Sequence, residues 1–552
     1  MTYGIMRMLR PVALLPVIAC SGGDAARARS ADADTVGQQE AGAVPLYDNL
    51  GDHHFDVTAS AGAQRYFDQG MRLYYAFNHA EAIRAFNEAA RLDPECAMCY
   101  WGTALSYGPN INMPMDSASG VAAYAAIREA VAQQELVSAS ERALIDALAT
   151  RYAEAPPADR SALDSAYAGA MADVAEQYPE HPEVLSLYAE SLMDLSPWQY
   201  WNRDGSPRPA TPKILAALEK VIAAQADHPG ANHFFIHAVE AVDPERAIPM
   251  AENLAGLMPG AGHLVHMPGH IYVRVGRYAD AIRANEHAVH ADETFITDQR
   301  PSMSVYTLGY YPHNYDFLAF AAGMIGRSEQ AIEAADRMAA LVKPELLGAP
   351  GLTVLQNHLS RALQIRVWFG RWDEILAAPE PPEAAPYARA VWHYARGRAF
   401  SARGDVESAS AELEGLRAEA SHASLQNAPV EFNSATALLD IAANVLEGHI
   451  AAARGEHDIA IDRLNEAVAG EDELVYGEPP EWTVPVRQEL GRVLLDAGRA
   501  AEAETAFRED LDRFPENGWS LEGLSRSLEA QGRAEEAAGV RNRFRDASAA
   551  QE

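Results

Sequence analysis

The chain has 552 residues, 48% of them hydrophobic, and a formal net charge of −34. That length is too great for one compact core and predicts several domains or one elongated repeat array. The acidic balance excludes a non-specific nucleic-acid binder, which needs Lys and Arg to replace phosphate counterions, and a surface that adheres to anionic lipid. It suits solubility in an extracytoplasmic medium, or attraction of cations or a basic partner.

At the N-terminus, Arg7 and Arg10 precede a short apolar run, Pro11 to Ile18, which is too short to span a bilayer. The run leads into Val17-Ile18-Ala19-Cys20-Ser21-Gly22-Gly23, which resembles a bacterial lipobox. The resemblance implies a signal peptide over 1–20, cleavage before Cys20 and lipid on that cysteine. A plain secretory signal is the other reading. Ser21, rather than Asp, after the cysteine favours the outer over the inner membrane. The expected location is therefore extracytoplasmic, with membrane contact through the N-terminal lipid only. No other stretch reaches the length of apolar sequence that a spanning helix needs. Residues 21–62 are rich in Ala, Gly, Asp and Gln and read as a flexible tether.

Beyond the tether the chain repeats. Tyr66, Gly70, Leu73, Ala82, Phe86, Ala89 and Pro94 stand at the offsets of a helix-turn-helix unit, and segment 63–96 resembles a tetratricopeptide repeat. Gly70 and Ala82 are small where two helices approach, Phe86 fills the space toward the next unit, and Pro94 stops the second helix. Cys96-Ala97-Met98-Cys99 follows at the repeat junction. Tyr100 after it rules out the C-x-x-C-H haem signature, and no βαβ pattern surrounds it. Cys96 and Cys99 read as a local disulfide or two packed thiols, with a soft-metal contribution beside Met98 as the alternative.

Residues 100–230 are more degenerate. Helical pattern appears at 121–135, 140–152, 161–177, 181–195 and 211–226, with long loops at 108–118 and 196–210. Further along, six turns carry Gly followed five residues later by Ala: Gly276 with Ala281, Gly326 with Ala331, Gly404 with Ala409, Gly455 with Ala460, Gly498 with Ala503 and Gly532 with Ala537. Gly370 is a seventh, with Ile375 at the small position. Chance does not keep a turn glycine and a packing alanine in phase so often. The predicted fold is all-α: an α-solenoid, a right-handed superhelix of tetratricopeptide-like repeats with a concave inner wall. Residues 343–352 read as a break, which gives an N-terminal array over 63–345 and a C-terminal array over 350–545.

Eight of the 18 histidines fall within 233–313, about three times an even share. His263, His266 and His270 are spaced i, i+3, i+7, which puts all three on one face of a helix. His233 and His237 are i, i+4 in the preceding unit, and His313 opens the following one. By the tetratricopeptide resemblance His263, His266, His270 and His313 occupy positions that line the concave groove, and a hairpin turn one residue shorter places His233 and His237 there too, for up to six imidazoles. His287 and His290 lie on a second helix and are expected to face outward. Imidazoles so spaced are a common way to hold Zn or Cu, with His263, His266 and His270 as first candidates and Met267, Glu240 or Asp316 to complete or orient the site. Pro268, inside the presumed helix, should kink it and can take His263 and His266 off the shared face. A polar groove for a substrate or peptide is a second reading of the cluster, and structural hydrogen bonding a third. There is no HExxH motif, no phosphate-binding glycine loop and no nucleophile elbow.

The motifs C-A-M-C-Y-W-G, G-P-N-I-N, N-H-F-F-I-H-A-V-E and G-H-L-V-H-M-P-G-H-I-Y resemble poorly characterised bacterial tetratricopeptide proteins over about 63–545. The resemblance implies a lipid-anchored scaffold that binds a protein or peptide partner, with no defined reaction. A metal-binding protein or metalloenzyme built on the 233–313 histidines is the alternative. One expectation concerns anchoring alone: Cys20→Ser should accumulate as unlipidated precursor, and metabolic lipid labelling that survives the change would remove the lipobox reading.

Overall fold

The computed structural model describes residues 44–301 and 303–549, so Cys20, the signal peptide and residues 21–43 of the tether lie outside the described residues. Within them the chain is a tetratricopeptide-like α-solenoid of consecutive helix hairpins. No β-strand occurs among the described residues, only isolated bridges such as Asn110–Met113.

The hairpins follow from the turn residues. All seven predicted turn glycines adopt left-handed φ, between +65° at Gly370 and +77° at Gly326 and Gly455. In each turn the residue after the glycine donates its N–H to a carbonyl five positions back, as in Arg277 to Tyr272 (2.7 Å), Arg499 to Leu494 (2.8 Å) and Asp405 to Phe400 (3.0 Å). This is the Schellman closure, which satisfies a helix's orphan carbonyl and needs a residue that tolerates positive φ. The alanine five residues on is fully buried in every case, as is Ile375. The first hairpin, Ala61–Tyr75 with His79–Leu92, closes the same way, Asn78 N–H to Leu73 O at 2.9 Å. Its left-handed residue, however, is Phe77, at φ 54°.

Neighbouring units interlock through one aromatic ring. Phe86 is fully buried between Gly70 of its own hairpin and Gly102 of the next, and a Cβ on either glycine would lie 2.5 Å from the ring. Phe507 repeats the arrangement between Gly491 and Gly523. The degenerate stretch is helical at Ser117–Ala132, Ala139–Ala149, Ser161–Gln177, Pro182–Met193 and Thr211–Ala224, close to the predicted windows. Ser138 and Glu141 form a capping box there, which fixes one helix start that hydrophobic spacing alone leaves vague.

One sequence expectation is corrected. The tether was placed through residue 62, but the packed body begins at residue 44. Leu50, His53, Phe55 and Val57 are buried, and the segment is tied down by Tyr47 N–H to Gln69 Oε1 (2.8 Å) and Arg72 Nε to His53 O (2.7 Å). A few apolar side chains in a polar run suffice when a preformed helix offers side-chain partners. The two large hydrophobic cores meet on helix Thr353–Trp368, just after the predicted break, where Ile365 and Trp368 belong to one core and Val367 to the other, and a small third core holds Leu347 and Leu355.

The superhelix turns far enough for late repeats to pack against early ones. Trp198 meets Phe432 at 5.2 Å between ring centroids, Arg274 donates to Arg513 O (3.3 Å), and Trp519 Nε1 donates to Gly323 O (2.9 Å). The inner wall thereby becomes interior. Gly102→Val should overpack the Phe86 interlock and lower stability by about 1–3 kcal/mol. Urea denaturation followed by circular dichroism checks this, and an unchanged midpoint would contradict the interlock.

Candidate metal centre

Helix Pro229–Val239 carries His233 and His237 one turn apart. His228 caps its start by accepting the Ala231 N–H (3.1 Å), and Pro229 sits where no N–H is needed. The next unit begins with Gly262–His266, and Pro268–Arg274 continues it after a break. Pro268 has no N–H to give, and the chain tightens through His270 N–H to Met267 O (3.2 Å). The break divides the three histidines. His263 turns to His233 of the preceding helix, Nε2 to Nε2 at 3.2 Å, while His266 and His270 face each other, Nε2 to Nε2 at 3.0 Å. His313, on Tyr311–Met324 after the π-helical turn Tyr306–Tyr310, brings its ring within 5.0 Å of His266 and 5.8 Å of His270.

The protons can be placed by their partners. His233 Nδ1 lies 2.7 Å from Tyr75 O, which only accepts, so Nδ1 carries the proton. His237 Nδ1 and His270 Nδ1 lie 2.8 and 2.5 Å from the two oxygens of Glu240. His266 Nδ1 lies 3.1 Å from Asn285 Oδ1, whose orientation is set by its amide donating to Ala281 O (2.8 Å). Four imidazoles therefore hold a proton on Nδ1 and turn a bare Nε2 inward. The Nε2 of His237 is buried with no hydrogen-bond partner, as is the Nδ1 of His263. Two bare lone pairs at 3.0 Å would repel each other, and either a proton or a metal ion between them removes the repulsion.

Burial, reinforced by neighbouring imidazoles, pushes His233, His263, His266 and His313 well below the usual histidine range, and burial also lowers His237. Burial would raise the Glu240 carboxyl, but His270 and His237 outweigh it and hold the group at about 2. Those five imidazoles are thus neutral donors beside one fixed negative charge, Glu240.

A second trio, His53, Glu183 and His228, is built differently. Since His228 Nδ1 accepts a backbone N–H, its proton is on Nε2, 3.2 Å from Glu183 Oε1. His53 Nε2 lies 3.0 Å from the same oxygen, and Tyr75 donates its hydroxyl to the other. Burial opposes ionisation of Glu183, but the two histidines hold it well below the carboxylate range. His228 has no lone pair left for a metal.

A cavity of about 390 Å³ opens onto His237, His263, His270 and His313. Asn112, Met113 and Trp198, from the two long loops, form one wall, and Glu431, Phe432 and Glu478 close it from the C-terminal repeats. Trp198 Nε1 donates to Asn112 Oδ1 (3.1 Å). Two aromatic residues with positive φ frame His237: Trp198 (φ 62°) edge-on at 5.0 Å and Phe77 stacked at 6.4 Å. Bulky residues avoid this backbone region, and strain of this kind gathers at functional sites.

All six sequence candidates converge, five of them 0–3% exposed and His313 half-buried. Four of them, His237, His263, His270 and His313, line a partly open cavity. Glu240 orients the cluster as anticipated. Met267 packs in the hydrophobic core instead, and Asp316 pairs with Arg361 at 2.7 Å, away from the imidazoles. His287 and His290 are exposed. Cys96 and Cys99 are joined in a disulfide. The sequence reading missed Asn285, Phe77, Glu431, Glu478 and His358, which also faces the cavity. The signal for Phe77 was the missing glycine in the first turn, and for Asn285 a polar residue four positions after the packing Ala281.

No family model matches the chain, and no curated protein matches it. Among solved structures it is similar to a human IFIT1 dimer (13% identity, 90% of this chain and 92% of that chain, TM-score 0.32). It is also similar to yeast Tom70 (12%, 88% and 91%, TM-score 0.27) and to the TPR domain of P58(IPK) (11%, 86% and 99%, TM-score 0.22). At those superposition scores nothing about this chain's ligand is argued from them.

One buried carboxyl near the cluster gives a pH expectation. Asp292 accepts from Tyr306 (2.6 Å) and Asn314 (2.7 Å), yet burial raises it from 3.8 to about 7. The folded state therefore holds this proton more tightly than the unfolded chain. Its contribution to stability is full below about pH 4 and is lost as pH rises through about 7. Asp292→Asn, which mimics the protonated form, should flatten that fall and leave the protein more stable at pH 8, by on the order of a few kcal/mol. Thermal melts of both proteins from pH 4 to 8 check it.

Proposed function

We propose that this chain is a metalloprotein whose repeat scaffold encloses a histidine-bound Cu or Zn centre next to a small-molecule cavity. The observation that carries the reading is the His266–His270 pair, with both Nδ1 protons committed and both Nε2 lone pairs aimed at one point from 3.0 Å apart. Two nitrogens on one ion stand roughly 3.0–3.4 Å apart when metal–nitrogen bonds are about 2.0–2.1 Å. Nitrogen-only donors suit Cu and Zn over Mg or Ca. Glu240, Asn285 and the Tyr75 carbonyl supply the outer hydrogen bonds that fix the tautomer of a ligating histidine. Three protein ligands with a free position facing a cavity are the pattern of a catalytic site, since structural zinc is closed by four. This supports an enzyme, though the reaction is not assigned.

Partner binding is a second reading. It is supported by the extended repeat surface and the net charge of −34, which suit a basic protein or peptide outside the cavity. With Cys20 lipidated, the whole would sit at a bacterial membrane on the extracytoplasmic side. No described helix is long and apolar enough to cross a membrane.

The full chain, purified without a histidine tag, should retain Cu or Zn by elemental analysis or take it up on dialysis. His266→Ala should lose most of it, while His422→Ala, at an exposed histidine, should keep it. Wild type that neither retains nor takes up metal would end the metal reading.

A further inference from the structure

The six imidazoles are not one shell. His233, His237 and His263 place their ligand nitrogens within 4.8 Å of one another, and His266, His270 and His313 do the same as a separate set. Each set contains its own close pair of nitrogens, at 3.2 Å in the first and 3.0 Å in the second. A tetrahedral ion has room for four ligands, so six inward imidazoles exceed one ion's demand. We infer that the cluster holds two ions, one on each histidine triad, adjacent enough to share a small bridging anion such as hydroxide on the side of the cavity. The inference rests on the metal reading above and extends it to nuclearity and ligand class.

Adjacency comes from the seam between the triads. His237 of the first and His270 of the second give their Nδ1 protons to opposite oxygens of one carboxylate, Glu240. A single anchor thus sets both rings, whose centroids are 5.4 Å apart, and His263 and His266 are 5.5 Å apart across the same seam. Within the triads the spacings are similar, 4.9 Å for His233–His237 and 4.7 Å for His266–His270. Paired-metal sites commonly keep their ions about 3.5–4 Å apart and clamp a ligand between them.

The cavity supplies the rest. It touches His237 and His263 from one triad and His270 and His313 from the other, so an occupant reaches both ions at once. Two buried cations need compensating charge, and ligating imidazoles bring none. Glu240 provides one negative charge directly behind the rings. Glu478 and Glu431 line the cavity itself. A bridging anion completes the balance, and it is the species that a paired site would present to whatever small molecule enters.

Elemental analysis and electron paramagnetic resonance test this on the full chain loaded with Cu(II) alone and then desalted. Wild type should hold about two ions per chain, with a resonance signal well below two independent spins because a shared bridge couples them. His263→Gln and His313→Gln, each in a different triad, should each keep about one ion with a full single-spin signal, and the double variant close to none. Melting temperatures of the variants separate loss of a ligand from loss of fold, and the wild-type stoichiometry does not depend on them. One ion per wild-type chain, lost in both single variants, would overturn the paired site while leaving the metal reading standing. Two ions with two full independent spins would overturn the bridge. No uptake of Cu(II) would overturn both.

Discussion

A neutral imidazole has two nitrogens and one proton, and in a dry interior both nitrogens need an assignment. The structure around Glu240 is organised by that constraint. Tyr75 O, Asn285 and the two oxygens of Glu240 take the protons of His233, His266, His237 and His270. Each such bond removes the choice of tautomer and turns the other nitrogen to the centre. If the cluster were only structural packing, the inward nitrogens would be expected to meet donors, as His228 does by accepting a backbone N–H. Here His266 and His270 meet each other, and the inward nitrogen of His237 meets no partner. The cost of leaving a buried acceptor unmatched is about 1–3 kcal/mol per group, so several such groups in one place form an unusual expense for a purely structural cluster.

The solenoid makes this density of imidazoles available. Each unit offers the same few inward positions, and a histidine placed there in three consecutive units arrives at one place in space without any long-range design of loops. Helix Pro229–Val239 gives two, the split pair Gly262–His266 and Pro268–Arg274 gives three, and Tyr311–Met324 gives one. Pro268 matters because it breaks an otherwise continuous helix and lets His263 serve one set while His266 and His270 serve the other. Burial is then provided by the superhelical turn, which brings Phe432 and Glu478 over the same face.

The repeat architecture was legible because its signals are local. A glycine that must take positive φ and an alanine that must pack at a fixed distance after it both act within one hairpin. The histidine cluster was legible from density and spacing for a related reason, since its ligands come from consecutive units. What escaped the sequence lies in tertiary contacts. Nothing near residue 237 announces that Glu431 or Glu478 faces it, and Asp316, a plausible partner by proximity in sequence, is claimed by Arg361. Residues 44–60 look like linker by composition, yet Leu50 and Phe55 find a helix surface to cover. Phe77 was hidden in a different way: a rule obeyed in seven turns was broken in an eighth, and the exception carried the information.

That exception bears on how such a scaffold can change over time. Repeat arrays commonly grow and vary by duplicating units, because a unit that contacts only its neighbours can be copied without regard to the rest. The first hairpin here is not interchangeable in that sense. A copied unit with glycine in its turn would close as well or better, but would bring no ring to stack on His237 and His263 and to pack against His233. Phe77 thus ties the hairpin at one end of the chain to histidines more than 150 residues away. Lengthening or shuffling would be resisted between Phe77 and Tyr310, and also in the late units that carry Phe432 and Glu478 to the cavity, so that the array is tied at both ends of its turn.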